Sequence, residues 1–95
     1  MIEMDLTTVL QALGDPIRLR IVRMLAEQEE VACGSFELGL VASTMSHHLQ
    51  VLRDAGLVET RRDGARKLNA LRREEVDAQF PGLLTSVLSA APSLR

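Results

Sequence analysis

A chain of 95 residues with 46% hydrophobic and 25% charged side chains is that of a folded globular protein and excludes a disordered one. The formal net charge of −2 offers nothing to nucleic acid as a total, and a lone cysteine, Cys33, excludes an internal disulfide or a cysteine-rich zinc site. No apolar run nears the ~20 residues that span a bilayer, and the acidic opening "MIEMDLTTVL" has no basic leader, so one cytoplasmic domain over 1–95, with no membrane contact, is expected.

Asp5 is placed to cap a first helix whose Leu6, Val9, Leu10 and Leu13 recur at helical spacing and which Gly14 ends. Asp15-Pro16 opens a second, because proline is tolerated where its missing N–H would have no partner, and Ile17, Ile21, Met24 and Leu25 share one face. Arg18, Arg20 and Arg23 on that helix are expected to be solvated or paired with acids such as Glu27, one turn beyond Arg23. "VACGSFELGLVA" is too short and too glycine-rich for a long helix and is expected to hold one short helical stretch, broken near Gly39.

The next helix is marked by Met45, Leu49 and Leu52, with Val51 beside them and Gly56 where a left-handed C-terminal cap is wanted. "LVETRRDGARKLNAL" reads as two strands about the turn dipeptide Asp63-Gly64. A last stripe of Phe80, Leu83, Leu84, Val87 and Leu88 is helical in period, with Pro81 breaking or starting that helix.

Charge is unevenly spread. From Ser43 to Arg73 there are seven basic residues (Arg53, Arg61, Arg62, Arg66, Lys67, Arg72, Arg73) against three acidic ones (Asp54, Glu59, Asp63), a net +4 within an acidic protein. Screening limits distant charges to roughly 8 Å at physiological salt, so such a stripe can bind phosphate on its own.

Two helices, a short connection, a second amphipathic helix and a basic hairpin are the order of a winged helix-turn-helix, mainly α with a small β-hairpin. In that motif the second helix of the pair enters the major groove with its N-terminal residues at the base edges. Ser43, Thr44, Ser46, His47 and Gln50 fall there, facing away from the apolar stripe, and all can hydrogen-bond bases or phosphates. His48 lies on the apolar edge and is expected to be packed and hydrogen-bonded instead.

"LQALGDPIRLRIVRML" followed by "STMSHHLQVLRDAGLVETRRDGARK" resembles the ArsR/SmtB family of bacterial winged-helix repressors over about Leu10 to Leu71. The resemblance implies a homodimer that represses its target operon and leaves DNA on sensing a chemical signal. Carried onto this chain, it implies a recognition helix over about 43–55 and a wing over about 57–71. Base readers would be Ser43, Thr44, His47 and Gln50, and Arg53, Arg61, Arg62, Arg66 and Lys67 would contact phosphate or the minor groove. One departure is that Val41 and Ala42 stand where the family often has a serine and then Gln or Lys, which points to Ser43 as the helix cap.

Ile17, Ile21, Leu25, Leu49, Leu52 and Val58 suffice for a winged-helix core. The terminal stripes (Leu6, Val9, Leu10, Leu13, Leu83, Leu84, Val87 and Leu88) are then surplus and suggest a dimer interface, with a pseudo-palindromic operator following from two-fold symmetry. The metal sites of the family are not matched: Cys33 has no second cysteine beside it, and Glu74, Glu75 and Asp77 have no histidine or cysteine near them, so no metal or other cofactor is expected. The inducer would be a small molecule or redox signal. Cys33 is either a thiol open to oxidation, capping or alkylation, or a small buried hydrophobe. No positioned nucleophile or acid–base pair argues for an enzyme, and the alternative to a repressor is a winged-helix protein–protein adaptor without specific DNA binding.

Overall fold

The computed structural model describes residues 3–90, so the outermost residues of the expected 1–95 domain lie outside it. Asp5 and Asp15 stand in extended backbone and accept from the free N–H groups of the helices they precede, Asp5 from Thr8 at 3.0 Å and Asp15 from Ile17 and Arg18 at 2.8 and 3.1 Å. These caps launch α1 (Leu6–Leu13) and α2 (Pro16–Glu27). There follow β1 (Val31–Ala32), a 3-10 turn at Cys33–Ser35, α3 (Ala42–Asp54), β2 (Val58–Asp63), β3 (Arg66–Leu71), α4 (Arg73–Gln79) and α5 (Leu83–Ala90). The strands form one antiparallel sheet in the order β1-β3-β2, in which Asn69 of β3 faces Val31 on one side and Thr60 on the other. This is a winged helix-turn-helix.

The end of α3 determines how the wing leaves it. Gly56 takes a φ of 87°, its N–H donates to Arg53 O at 2.9 Å, and Leu57 N–H donates to Leu52 O at 3.0 Å. That pair of bonds is the Schellman stop, and it turns the chain directly into β2. At the wing tip Asp63 pairs with Arg66, so the two central residues are Gly64 and Ala65 rather than Asp63 and Gly64. Only Gly64, at φ 64°, needs the left-handed region, as in a hairpin turn with glycine first.

One expectation is corrected and two hold. The connection before α3 holds one short helical stretch, a 3-10 turn, and breaks at Gly39, whose φ is 70°, as expected, but it also pairs with the wing through β1. The hairpin is therefore part of a three-stranded sheet. The C-terminal stripe is split at Pro81, the breaking alternative of the expectation: Phe80 ends α4 and α5 begins only at Leu83, after Gly82 at φ 83°.

The core brings α1, α2, α3, the wing base, α4 and α5 together. Val9, Ile21, Val22, Leu49, Leu52, Leu57, Val76 and Leu84 are all essentially without exposure. Three residues assigned to a dimer face thus belong to the protomer's own interior: Val9, Leu13 and Leu84. With so few aromatic residues to fill it, the interior draws on the terminal helices as well, while Ile17 is only half-buried at its margin. Leu6 and Leu10 remain 47% and 46% exposed on the outer side of α1, and Leu83, Val87 and Leu88 are half-buried on α5. Among the described residues no helix is long and apolar enough to cross a membrane.

Candidate nucleic-acid interface

Burying Met45, Leu49 and Leu52 turns the opposite face of α3 outward. Ser43, Ser46, His47 and Gln50 are exposed and Thr44 is half-buried. The helix starts one residue earlier than expected, at Ala42. Val41 is its cap, accepting from Met45 N–H at 3.0 Å through its carbonyl and offering no side-chain bond, so Ser43 is the second helical residue and does not cap. The first-turn N–H groups of α3 consequently lack an internal acceptor and point along the positive end of the helix dipole, a ready site for a phosphate oxygen.

His48 has the packed role expected of it. Its Nδ1 lies 3.3 Å from Arg18 Nη1, and Arg18 also donates to Ala12 O at 2.6 Å and Gln11 O at 3.3 Å. One guanidinium thus ties the end of α1, the start of α2 and the middle of α3 together, so Arg18 does more than solvate its helix. Arg23 pairs with Glu27 at 3.8 Å as expected and reaches Leu88 O at 2.9 Å.

The seven basic residues from Ser43 to Arg73 divide into two groups. Arg53 donates to Thr60 Oγ1 at 3.1 Å and to Gln50 Oε1 at 2.8 Å, while Gln50 Nε2 donates to Asp54 at 2.7 Å. Arg61 is held by Glu30 through two bonds of 2.6 and 2.8 Å. Arg72 bridges Glu59 and Glu75 at 2.8 and 3.0 Å, and Arg73 lies 3.7 Å from Asp77. Arg62, Arg66 and Lys67 are exposed at the wing tip and have no hydrogen-bond or ion-pair partner among the described residues. They are the cations left free for an external anion.

Cys33 is half-buried beside the outer half of the wing, where a concavity of about 400 Å³ is lined by Cys33, Gly34, Arg62, Ala65, Arg66 and Lys67. Its Sγ accepts from Asn69 Nδ2 at 3.2 Å. No three His, Cys, Asp or Glu side chains are grouped to hold a metal ion among the described residues. The sequence reading missed Asn69 and Thr60, which lie between Cys33 and Arg53; the one local signal was an asparagine, a residue disfavoured in strands, between Leu68 and Ala70.

Residues 15–60, from the cap of α2 into the wing, match the model of the family described as bacterial regulatory protein, arsR family. The helix-turn-helix-type transcriptional regulator YceK of Bacillus subtilis is 35% identical over 82 residues, covering 83% of this chain and 82% of its own. The chain belongs to the arsR family. As a member it is a DNA-binding transcriptional regulator. The arsenical resistance operon repressor of Staphylococcus xylosus is 38% identical over 74 residues, covering 77% of this chain and 71% of its own. Among solved structures, the homodimeric winged helix-turn-helix DNA-binding domain of Mb0332 from Mycobacterium bovis superposes with a TM-score of 0.72 at 34% identity, over 88% of this chain and 77% of that one. These arsR-family relatives are transcriptional regulators, not enzymes.

Proposed function

We propose that this arsR-family protein is a cytoplasmic homodimeric repressor that binds a pseudo-palindromic operator in double-stranded DNA and leaves it on a chemical signal. The observation that carries this reading is the combination of an α3 N-terminus without a side-chain cap bond, a polar outward face of Ser43, Thr44, Ser46, His47 and Gln50, and three unpartnered wing cations, Arg62, Arg66 and Lys67. The α3 face reads bases, the wing and Arg53 and Arg61 contact phosphate or the minor groove, and two copies place two such helices one turn of DNA apart. Leu6, Leu10, Leu83, Val87 and Leu88 form the face toward the second copy, for which the homodimeric Mb0332 domain is the precedent.

The signal acts at Cys33 as a thiol rather than through a metal. Its thiolate attacks an oxidised low-molecular-weight disulfide, forming a mixed disulfide and releasing one thiol, and an anionic adduct then lies against Arg62, Arg66 and Lys67. The wing cations are thereby taken from DNA. A fluorescence-anisotropy titration of the reduced protein with its own upstream DNA and with a scrambled duplex, at two salt concentrations, tests the whole reading. Tight, salt-sensitive preference for the native duplex at two chains per site supports it, and equal weak binding to both refutes it. Oxidised thiol should weaken the native complex, and a Cys33→Ser protein that responds equally would remove Cys33 as the sensor.

A further inference from the structure

We propose that Asn69, buried in the wing's own strand β3, is a positioning residue for the DNA-reading edge of α3, acting through Thr60 on Arg53 and Gln50. This rests on the reading of α3 as the base-reading helix.

Asn69 is fully buried in the central strand of the sheet, the one buried polar residue among those described. A strand interior disfavours asparagine, and an unpaired amide there would be costly, so its bonds account for its presence. Nδ2 donates to Val31 O at 3.1 Å and to Cys33 Sγ at 3.2 Å, and Oδ1 accepts from Thr60 Oγ1 at 2.7 Å. Thr60 sits directly opposite on β2, and its hydroxyl accepts in turn from Arg53 Nη1 at 3.1 Å. Arg53 Nη2 then fixes Gln50 Oε1 at 2.8 Å, and Gln50 Nε2 is fixed by Asp54 at 2.7 Å.

The order of donors along this row has one solution. A guanidinium has no acceptor, so Thr60 must receive from Arg53, and the Val31 carbonyl can only accept, so it takes Asn69 Nδ2 and leaves Oδ1 for the Thr60 hydrogen. That fixes the flip of the Asn69 amide and turns its two N–H groups toward Val31 and Cys33. At the other end, the Gln50 carboxamide is oriented with one N–H and one oxygen lone pair still free, the complement through which glutamine reads a base edge. A side chain ordered before binding loses less entropy on DNA, so the row serves recognition rather than only the core.

Substituting Asn69 also disturbs the core beneath β1, so Thr60→Val is the informative variant: it keeps the shape and the strand preference and removes only the shared hydroxyl. Thr60→Ser restores it. In the free protein, nitrogen-15 relaxation of Arg53 Nε and Gln50 Nε2 should show order in the wild type and in Thr60→Ser and mobility in Thr60→Val; equal order in all three overturns the proposal. On DNA, Thr60→Val should lower the preference for the native over the scrambled duplex by about tenfold, with little further loss when added to Gln50→Ala. Fully additive losses overturn it as well. A wild type without preference for either duplex would refute the functional reading, and the relaxation comparison then decides the positioning role on its own.

Discussion

Arg61 grips the carboxylate of Glu30 through two parallel bonds, Nε to Oε2 at 2.6 Å and Nη2 to Oε1 at 2.8 Å, joining the wing to the segment that precedes β1. The bonds from Arg61 and its charge hold the Glu30 carboxyl below the usual carboxylate range, and Arg61 is lifted in return. A residue assigned to phosphate thus meets a competitor within its own chain. Glu30→Gln should free Arg61, raise DNA affinity several-fold and steepen the salt dependence by up to about one unit per protomer. An anisotropy titration across salt measures both, and an unchanged slope would mean that Arg61 never reaches DNA. Because the Glu30 carboxyl is depressed, the pair persists at every pH above the ordinary carboxylate range and opens only as pH falls through that lowered value. The competition is therefore fully present at neutral pH.

His47 and Arg62 should separate base reading from phosphate binding. His47 is exposed on the outward face of α3 beside the packed His48, with ring centroids 5.7 Å apart, and Arg62 is an unpartnered wing cation. His47→Ala should lower affinity for the native duplex by about tenfold while sparing the scrambled one. Arg62→Ala should weaken both and flatten the salt slope by up to about one unit for each phosphate it no longer neutralises, counted per subunit. Equal losses on both duplexes for His47→Ala would remove it from the base readers.

The helices that carry the site were legible in the sequence because each had a stripe and a marked start or end: Asp5 capping α1, Asp15-Pro16 opening α2, Met45, Leu49 and Leu52 as the α3 stripe, Gly56 as its end. β1 was not, since two residues show no period, and Val31 and Ala32 become a strand only through pairing with Leu68 and Asn69 far along the chain. α4 was missed for a similar reason: seven residues with Val76 as their one buried side chain make no stripe. The composition of the wing announced its cations but not which were free. Arg61, Arg72 and Arg73 are neutralised by Glu30, Glu59, Glu75 and Asp77, and only Arg73–Asp77 and Arg72–Glu75 lie at a spacing that helical geometry could have suggested.

The cap of α2 should give the protein an acid limb. Burial alone would push the Asp15 carboxyl up, but the backbone N–H groups of Arg18 and Ile17 and the charges of Arg18 and His48 together pull it below the usual range. A depressed carboxylate contributes stability above its unfolded pKa and loses it as pH falls through the lowered folded value. Asp15→Ala should therefore cost about 1 kcal/mol near neutral pH. In thermal melts the gap between the two proteins should close below the carboxylate range, and a gap that persists there would assign the loss to packing.

The terminal helices each carry an inner and an outer set of leucines, and the two sets should fail differently. Leu84 is fully enclosed, so Leu84→Ala should cost about 2–5 kcal/mol of stability at any protein concentration. Leu10 is 46% exposed one turn from Leu6, which is 47% exposed, so Leu10→Glu leaves the interior intact and introduces a charge only on the outer face of α1. If that face meets a second copy, sedimentation should show Leu10→Glu as a monomer at concentrations where the parent protein is a dimer, with a cooperative melt retained. Operator binding would then drop from two chains per site to weak single-chain binding, because one α3 can occupy only one half-site. A Leu10→Glu protein that remains a dimer would place the interface on α5 instead, at Leu83, Val87 and Leu88.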